Sequence, residues 1–571
     1  MTTHESYTFG PFVLDPRRWR LERDGQPVAL QPLVLRTLHY LVRERGRVVP
    51  KDELITALWP GRVVTDDALT RCVKELRQAL GDDGHGATFV RTVRRVGYAF
   101  AAEVRVVEHD AGHATQVRAT LAVLPLRPLV ARARDEALEL GIADDLINQL
   151  SGLRQVVVRP LAAVRRYAGP QHDPLAAGAE QRADYVVEGS LHASGGRIAV
   201  SLRLLEVADG SARLAIRLDT SPAELPARLL ETGRRIAEAL AVELTPNIAG
   251  RLAGHGSAQP QAWRSYLLGR LRAGRHTPDA DRLSIERFRE AVALDPGYAL
   301  AWSALADCCV SLGTLGTGDG HFEAARAHAE RALALQPDLV PALTCLGTVA
   351  WLRDRDWAAA ERHFQAALEA APHHADAQVA YADFCSHMGR HEQAIAAAGH
   401  AAAIDPNSAW VQTLLAQALH MAGLHDEAVT QARQALALAP DFAFAHLFAG
   451  LSSLMNRRWD EGIAHVEQAH RQTARGDFAG ALGWAYAVAG REDDARALLA
   501  MLESAGDAVP PIVRSFVHLG LGDDEQALDL IERADAAGDW HVLLLHAEPA
   551  FRRLRQHPRA RHLLERLRLP G

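Results

Sequence analysis

The residues best suited to chemistry are hydrogen-bond donors at helical spacing between residues 66 and 80. When this stretch is plotted at 100° per residue, one side is apolar and predicts a buried face formed by Leu69, Val73, Leu76 and Leu80. The donors lie on the opposite side, with Arg77 on the flank, and they are Thr70, Arg71, Lys74 and Gln78. Such donors suit phosphate oxygens and guanine edges in a major groove. The alternative is an ordinary solvated charged face.

A second group of donors follows closely and comprises Arg91, Thr92, Arg94 and Arg95. It lies at the tip of a predicted strand–turn–strand segment, where arginines suit a phosphate backbone or a minor groove. Residues 1–105 contain 17 Lys and Arg against 13 Asp and Glu, and the net charge of the whole chain is −7, which leaves −11 for the remainder. A basic head on an acidic body fits a head that binds a polyanion.

The elements that must position these donors can be predicted from the same hundred residues. Residues 7–30 alternate as strands do, with turns at Asp15-Pro16 and Asp24-Gly25. Helices are predicted over about 32–45, 51–58 and 66–80, and Thr65 is suited to cap the third of them. Strands at 88–93 and 97–101 then form a hairpin. Three helices followed by a β-hairpin define a winged helix.

Three segments carry a resemblance to a known family: Leu58-Trp-Pro with Val64, Leu69–Gly81, and the run from Val90 to Phe100. The head resembles the OmpR/PhoB-type DNA-binding domain over essentially all of residues 7–103, and we assign the domain to residues 1–105. The resemblance implies that the third helix enters the major groove and that the wing contacts the adjacent minor groove. It also implies that Trp59–Val64 can contact RNA polymerase. Glu75 stands where the family commonly has a basic residue, which predicts somewhat weaker binding.

The carboxy-terminal half repeats itself. Five Ala-x-x-x-x-Pro segments end at Pro296, Pro337, Pro372, Pro406 and Pro440, with spacings of 41, 35, 34 and 34 residues. In four of them a second alanine stands seven residues before the first, on the same helix face: Ala325, Ala360, Ala394 and Ala428. The pattern resembles the tetratricopeptide repeat and predicts an all-α solenoid of about eight units over 260–571, closed by a polar capping helix from Glu548. Such arrays bind a protein or peptide on a concave face. The lysine clamp for a terminal carboxylate is disfavoured, because this array has no lysine.

The middle of the chain predicts a small α/β domain over residues 117–247, after a linker at 106–116. Strand and helix patterns alternate here, and the phrases Ala122–Pro125, Gly141–Ile147, Ala183–Ser190 and Leu205–Gly210 resemble the amino-terminal domain of TolB. The domain carries no catalytic motif. Asp144 and Asp145 have the residue type for acid–base work, but an exposed helix turn is the preferred interpretation.

Several classes of protein are disfavoured by what the sequence lacks. We find no nucleophile with its base, no metal-ligand cluster and no phosphate loop, so we expect a non-enzyme without metal or cofactor. The five cysteines form no disulfide framework. No segment resembles a signal peptide or a membrane span, so we expect a cytoplasmic protein that binds no membrane. We also expect no phosphorylatable receiver, since no room precedes the head and no lysine follows Lys74.

These observations lead to two functional hypotheses. The first is a one-component bacterial transcription regulator whose winged helix binds double-stranded DNA sequence-specifically and whose repeat body senses a protein or ligand. The second is an interaction scaffold whose winged helix docks protein instead of DNA. The basic helix face and the arginine-rich wing favour the first.

Overall fold

The computed structural model divides the chain into two units, Met1–Thr115 and Gln116–Gly571, and each is described by itself. It describes residues 5–15, 20–23, 26–28, 32–58, 66–82, 89–93, 96–102, 104–108, 119–130, 134–169, 172–240, 242, 257, 259–273, 278–314, 320–472, 476–506 and 509–569.

The first unit is the predicted winged helix. Its strands are β1 (Glu5–Phe9), β2 (Phe12–Asp15), β3 (Arg20–Arg23), β4 (Gln26–Pro27), β5 (Val49–Pro50), β6 (Val90–Val93), β7 (Gly97–Phe100) and β8 (Arg105–Glu108). Its helices are α1 (Pro32–Arg43), α2 (Lys51–Leu58) and α3 (Asp66–Leu80). One sheet has the order β4-β3-β2-β1-β8, and a second, three-stranded sheet has the order β5-β7-β6. The apolar sides of α1 and α3 share one core with aromatic residues of the strands, including Phe9, Phe12 and Phe100.

Strand β8 corrects the predicted linker. Residues 106–108 were assigned to a linker over 106–116, but they pair antiparallel with β1, with Tyr7 opposite Val106 and Glu5 opposite Glu108. The adjacent valines of this segment add a strand to the first sheet, so the head extends at least to Glu108. The rest of the predicted linker, residues 109–116, lies outside the described residues.

The second unit begins with the predicted α/β domain. Its strands are β9 (Ala119–Val123), β10 (Arg127–Pro128), β11 (Val156–Val158), β12 (Tyr185–Ser194), β13 (Arg197–Glu206) and β14 (Ala212–Thr220). Its helices are α4 (Glu136–Ser151), α5 (Leu161–Val164), a 3-10 turn (Arg165–Tyr167), α6 (Pro174–Glu180) and α7 (Leu225–Ala239). The sheet order is β11-β9-β12-β13-β14, and β10 pairs with β12. Asp135 caps α4 by accepting a hydrogen bond from the backbone N–H of Leu138.

The array follows as eight helix pairs among the described residues, which agrees with the predicted number of repeats. The first four pairs are α8 (Pro260–Ala273) with α9 (Pro278–Leu294), α10 (Ala299–Thr314) with α11 (His321–Leu335), α12 (Val340–Val349) with α13 (Trp357–Ala370), and α14 (Ala375–His387) with α15 (His391–Ile404). The last four are α16 (Ala409–Met421) with α17 (His425–Leu438), α18 (Ala443–Met455) with α19 (Trp459–Gln472), α20 (Gly476–Val488) with α21 (Glu492–Ser504), and α22 (Pro511–Leu521) with α23 (Asp524–Ala536). A π-helical turn (Ala350–Asp354) extends α12.

The in-register alanines hold the helix pairs together. Ala325, Ala360, Ala394 and Ala428 are all completely buried. Because an alanine side chain is so short, two helices can approach closely at these points. Each proline of the repeat stands in the turn after the second helix of a pair, where it prevents that helix from continuing.

We expect Ala428→Trp to lower the stability of the array by about 1–3 kcal/mol or more, because an indole has no room at a fully buried helix contact. Thermal unfolding measures this loss directly. Ala437→Trp is the matched control, because Ala437 is exposed on the same helix, α17. Equal melting temperatures for the parent chain and Ala428→Trp would contradict the helix contact.

The segment after the eighth repeat is not one continuous capping helix from Glu548, as predicted, but a series of short turns and helices that ends in a helix. It consists of 3-10 turns (Trp540–Leu543, Pro549–Arg552, Leu554–Gln556), α24 (Leu544–Ala547) and α25 (Pro558–Leu567), with Phe551 and Leu554 fully buried. It packs back onto earlier repeats. Trp357 donates its indole N–H to the carbonyl of Leu567 at 3.0 Å, and the buried side chains of His420 and Glu548 are 3.0 Å apart. The carboxy-terminal segment therefore contacts the third and fifth helix pairs of the array.

The α/β domain is joined to the array through arginines at helix ends. Arg159 of the domain donates to the carbonyls of Ala403 and Ile404 at the end of α15, at 2.7 and 2.5 Å. Arg165 donates in the same way to Leu271, near the end of α8, at 2.8 Å. The last carbonyls of a helix lack intrahelical partners and carry partial negative charge, so arginines suit them.

Asp144 and Asp145 lie in this junction, and the prediction of an exposed helix turn is wrong. Both are buried on α4. The Asp144 carboxylate forms an ion pair with Arg270 of α8, at 2.9 and 3.1 Å. Asp145 accepts a hydrogen bond from the Gln149 amide at 2.8 Å. Burial, together with the charge of Asp144, raises the pKa of Asp145 to about 7. The pair is a structural part of the junction.

Within the described residues, no helix is both long and apolar enough to cross a membrane.

Candidate DNA-binding surface

Helix α3 separates its buried and exposed faces as the sequence predicts. Leu69, Val73, Leu76 and Leu80 are buried in the core of the head. Thr70, Arg71, Lys74 and Gln78 are exposed. Cys72 is buried beside Thr37, with its sulfur 3.1 Å from the hydroxyl, and burial raises the pKa of this thiol. The helix is therefore fixed on one side and presents a row of donors on the other.

Two side chains at the end of α3 hold the first wing strand. Asp82 follows the left-handed Gly81 and accepts hydrogen bonds from the backbone N–H groups of Phe89 and Val90, at 3.1 and 2.9 Å. Arg77 donates to the carbonyl of Val90, at 3.0 and 2.8 Å, and to the Thr92 hydroxyl, at 2.7 Å. The Val90 peptide groups are thus held from both sides, which fixes the wing relative to α3.

The wing itself is set by a close backbone approach. A Cβ at Gly97 would stand 1.9 Å from the carbonyl oxygen of Val49, so only glycine allows β7 to pair with β5 here. Val96 is exposed just before it, in the turn between β6 and β7.

The predicted wing donors divide into two groups. Arg91 and Thr92 are exposed on β6, and Thr92 is bonded to Arg77 as described. Arg94 and Arg95 lie outside the described residues, as does the segment Trp59–Val64. Six predicted donors are therefore exposed on α3 and β6, as expected, whereas Arg77 is half-buried and donates to Val90 and Thr92 within the domain.

Asp82 was not singled out from the sequence. A signal was available: a glycine at the end of a predicted helix commonly adopts the left-handed conformation, and Gly81-Asp82 has that pattern. The partner of the carboxylate, seven and eight residues further on, could not be deduced from periodicity.

We expect Asp82→Ala to loosen the wing, because it leaves two buried N–H groups without their acceptor, at a cost of about 1–3 kcal/mol. Hydrogen exchange of the peptide covering residues 89–93 should become faster. Asp82→Asn, which keeps one acceptor oxygen, should show a smaller effect. Unchanged exchange in Asp82→Ala would show that the carboxylate does not hold the strand.

Comparisons with known proteins agree with this geometry. Residues 25–100 match the family described as "Transcriptional regulatory protein, C terminal", and residues 352–398 and 387–451 match the tetratricopeptide repeat. The chain is 24% identical over 414 residues to the transcriptional regulator HilA of Salmonella typhi, covering 71% of this chain and 72% of HilA. It is 30% identical over 90 residues to the transcriptional activator CadC of Escherichia coli K12, covering 16% of this chain and 18% of CadC.

Among solved structures, the DNA-binding domain of Escherichia coli CadC is similar to this chain, with 25% identity and a TM-score of 0.17. The match covers 19% of this chain and 100% of the CadC domain. The sequence matches and the fold together make the head an OmpR/PhoB-type winged-helix domain and the body a tetratricopeptide array. The chain is a transcriptional regulator with a tetratricopeptide body, and the scaffold alternative is not favoured.

Proposed function

We propose that the chain is a one-component regulator that binds specific DNA sites through α3 and the wing. The exposed donor row of α3 carries this proposal. Thr70, Arg71, Lys74 and Gln78 span nine residues, or about 12 Å along the helix, which is close to the width of a major groove. The hydrogen bonds of Arg77 and Asp82 to strand β6 hold the wing in a fixed position beside α3, which supports a wing that contacts DNA together with that helix.

Each donor has a role suited to its chemistry. The guanidinium of Arg71 can donate two hydrogen bonds to one guanine, which suits base recognition. Lys74 is a compact charge that suits either a guanine edge or a phosphate. Arg91, with Arg94 and Arg95 beyond the described residues, suits backbone or minor-groove contact. Thr70, Gln78 and Thr92 supply neutral donors and acceptors at the edges of the surface.

An electrophoretic shift assay separates this proposal from the scaffold hypothesis. DNA that co-purifies with the protein is sequenced, and the recovered fragment is titrated with the full chain at several salt concentrations. A groove-binding protein loses affinity with salt, with a logarithmic slope of about −0.9 per neutralised phosphate. A scaffold would show no salt-dependent shift, and a fragment of scrambled sequence is the control for specificity.

The proposal extends to the body as follows. The α/β domain, which on its sequence resembles the amino-terminal domain of TolB, receives a signal together with the array, to which Arg159 and Arg165 attach it. The partner of the array is a protein or peptide. Trp59–Val64 contacts RNA polymerase. The chain works by binding and not by catalysis, and it acts in the cytoplasm.

A further inference from the structure

The two edges of the α/β sheet differ in a way that points to a partner. At one edge, Val157 of β11 packs against Ala375 and Ile404 of the array, so this edge is covered by the chain itself. At the other edge stands β14, and no strand among the described residues pairs with its outer side. Nine residues long, β14 presents a row of backbone groups that can pair with another strand.

The sequence of β14 is complementary to itself when reversed. In an antiparallel pair with a two-fold axis at Ile216, Arg213 stands opposite Asp219, Leu214 opposite Leu218, and Ala215 opposite Arg217. Each pairing occurs twice by symmetry. We propose that β14 of one copy pairs antiparallel with β14 of a second copy in this register, so that two sheets become one continuous sheet.

The charges at the ends of β14 support the register. Arg213 forms an ion pair with Glu206, and Asp219 forms one with Arg197, at 2.8 Å. The Arg213 and Asp219 side chains remain 53% and 68% exposed, so both can accept a further partner. Pairing two copies joins these ion pairs into an alternating row of Glu206, Arg213, Asp219 and Arg197. Opposite charges that face each other across strands are stabilising.

The apolar side of β14 supports it as well. Ile216 is buried, whereas Leu214 and Leu218 are only half-buried at the rim of the core. The register brings each leucine beside the other copy's leucine and removes more of both from water. On the outer side, the small Ala215 leaves room for the longer Arg217. The β-bulge of the β13–β14 pair falls at Arg213, which has no Cα partner on β13, whereas the ladder is regular from Leu214 to Thr220. The Leu214–Leu218 and Ala215–Arg217 pairs therefore define the register, and the long Arg213 side chain reaches Asp219 from the bulge.

The consequence is a protein with two DNA-binding heads. A dimer joined through the body would bind two half-sites, so affinity for a double site would exceed affinity for a single one. The dimer proposal is argued only from the open edge strand β14 and does not depend on the proposed DNA contacts.

A charge-swap series tests the register on the full chain by sedimentation equilibrium. Asp219→Arg places like charges opposite each other at both symmetric positions, and it should raise the dimer dissociation constant by about tenfold or more. Arg213→Asp should do the same. The double variant Arg213→Asp/Asp219→Arg restores opposite charges between copies, although it disrupts both ion pairs within each copy. Rescue in the double variant therefore supports pairing between copies, whereas a still weaker dimer would contradict the register.

Cysteine cross-linking supplies a second measurement. Opposite residues of antiparallel strands have Cα atoms about 4.5–5.5 Å apart, within the range that a disulfide spans. Under mild oxidation, Ala215→Cys/Arg217→Cys should give a covalent dimer, since the five native cysteines are buried. Ala199→Cys/Ser201→Cys, at exposed positions of the inner strand β13, is the matched control and should stay monomeric.

A parent chain that stays monomeric at tens of micromolar, with no cross-link in the first pair, would overturn the proposal. If that monomer still shifts DNA with salt dependence, the dimer alone fails. If a dimer forms but shows no DNA binding, the dimer stands and the proposed DNA contacts fail.

Discussion

The double variant Arg71→Ala/Lys74→Ala should bind its operator about 100-fold more weakly or worse, since each lost contact costs about 1–3 kcal/mol. Both side chains are exposed on α3, opposite the buried face that holds the helix in the head. Folding should therefore be preserved, and the loss should appear in the affinity alone. Fluorescence anisotropy with the recovered operator, at fixed salt, gives the number.

The matched control is Arg43→Ala, which removes one exposed arginine from α1 of the same domain. It should change affinity little, because this residue is on neither α3 nor the wing. Single variants separate two kinds of contact. Arg71→Ala should relax specificity at one base pair, whereas Arg94→Ala should weaken all sequences and flatten the salt slope by about one. Parental affinity in the double variant would rule out α3 as the groove-binding helix.

The head could be predicted from sequence because its elements follow local rules. The apolar spacing of Leu69, Val73, Leu76 and Leu80 fixes which side of α3 is buried, and the structure confirms it. The closing strands are confirmed as well, at Val90–Val93 and Gly97–Phe100. Strand β8 was missed because its only apolar residues are adjacent and stand at the start of a polar stretch.

Pairings over long distances in the chain were beyond the sequence patterns. The two hydrogen bonds from Arg77 to the carbonyl of Val90 form only when the wing folds back onto α3, and helical periodicity only places Arg77 on the flank. The same holds for the array. Its period predicts the helix pairs, because neighbouring repeats are alike, but it says nothing of the last segment, where Glu548 contacts His420, 128 residues earlier.

Asp144 and Asp145 show in the same way that sequence patterns do not predict tertiary contacts. Consecutive carboxylates on a helix are usually solvated, so the exposed interpretation followed from the residue types. The ion pair with Arg270 became visible only when α8 was packed against α4. Burial of a charged side chain is decided by what the tertiary structure brings to it.

The variant Asp145→Asn should stabilise the body at pH 8, by at most about 4 kcal/mol, and should flatten its pH dependence. The pKa of Asp145 is raised to about 7 by burial and by the neighbouring Asp144. In the unfolded chain this carboxyl loses its proton near pH 4, whereas the folded chain keeps it. The contribution of the Asp145 carboxyl to the free energy of unfolding is therefore largest below about pH 4. It falls between about pH 4 and pH 7 and stays at its lowest value above pH 7. Asparagine resembles the protonated acid and cannot ionise, so this fall should be absent.

The urea midpoint of the body, measured from pH 5 to pH 8, tests the sign of the effect, and the adjacent residue provides the control. Asp144→Asn makes the same change of atoms one position away but removes the negative partner of Arg270, so it should lower stability by about 2 kcal/mol at neutral pH. Opposite effects from two neighbouring carboxyls would follow only from their different partners, a cation for Asp144 and an amide for Asp145. If Asp145→Asn were less stable than the parent at pH 8, the carboxyl would have to be ionised and stabilised in the folded chain, and the raised pKa would be wrong.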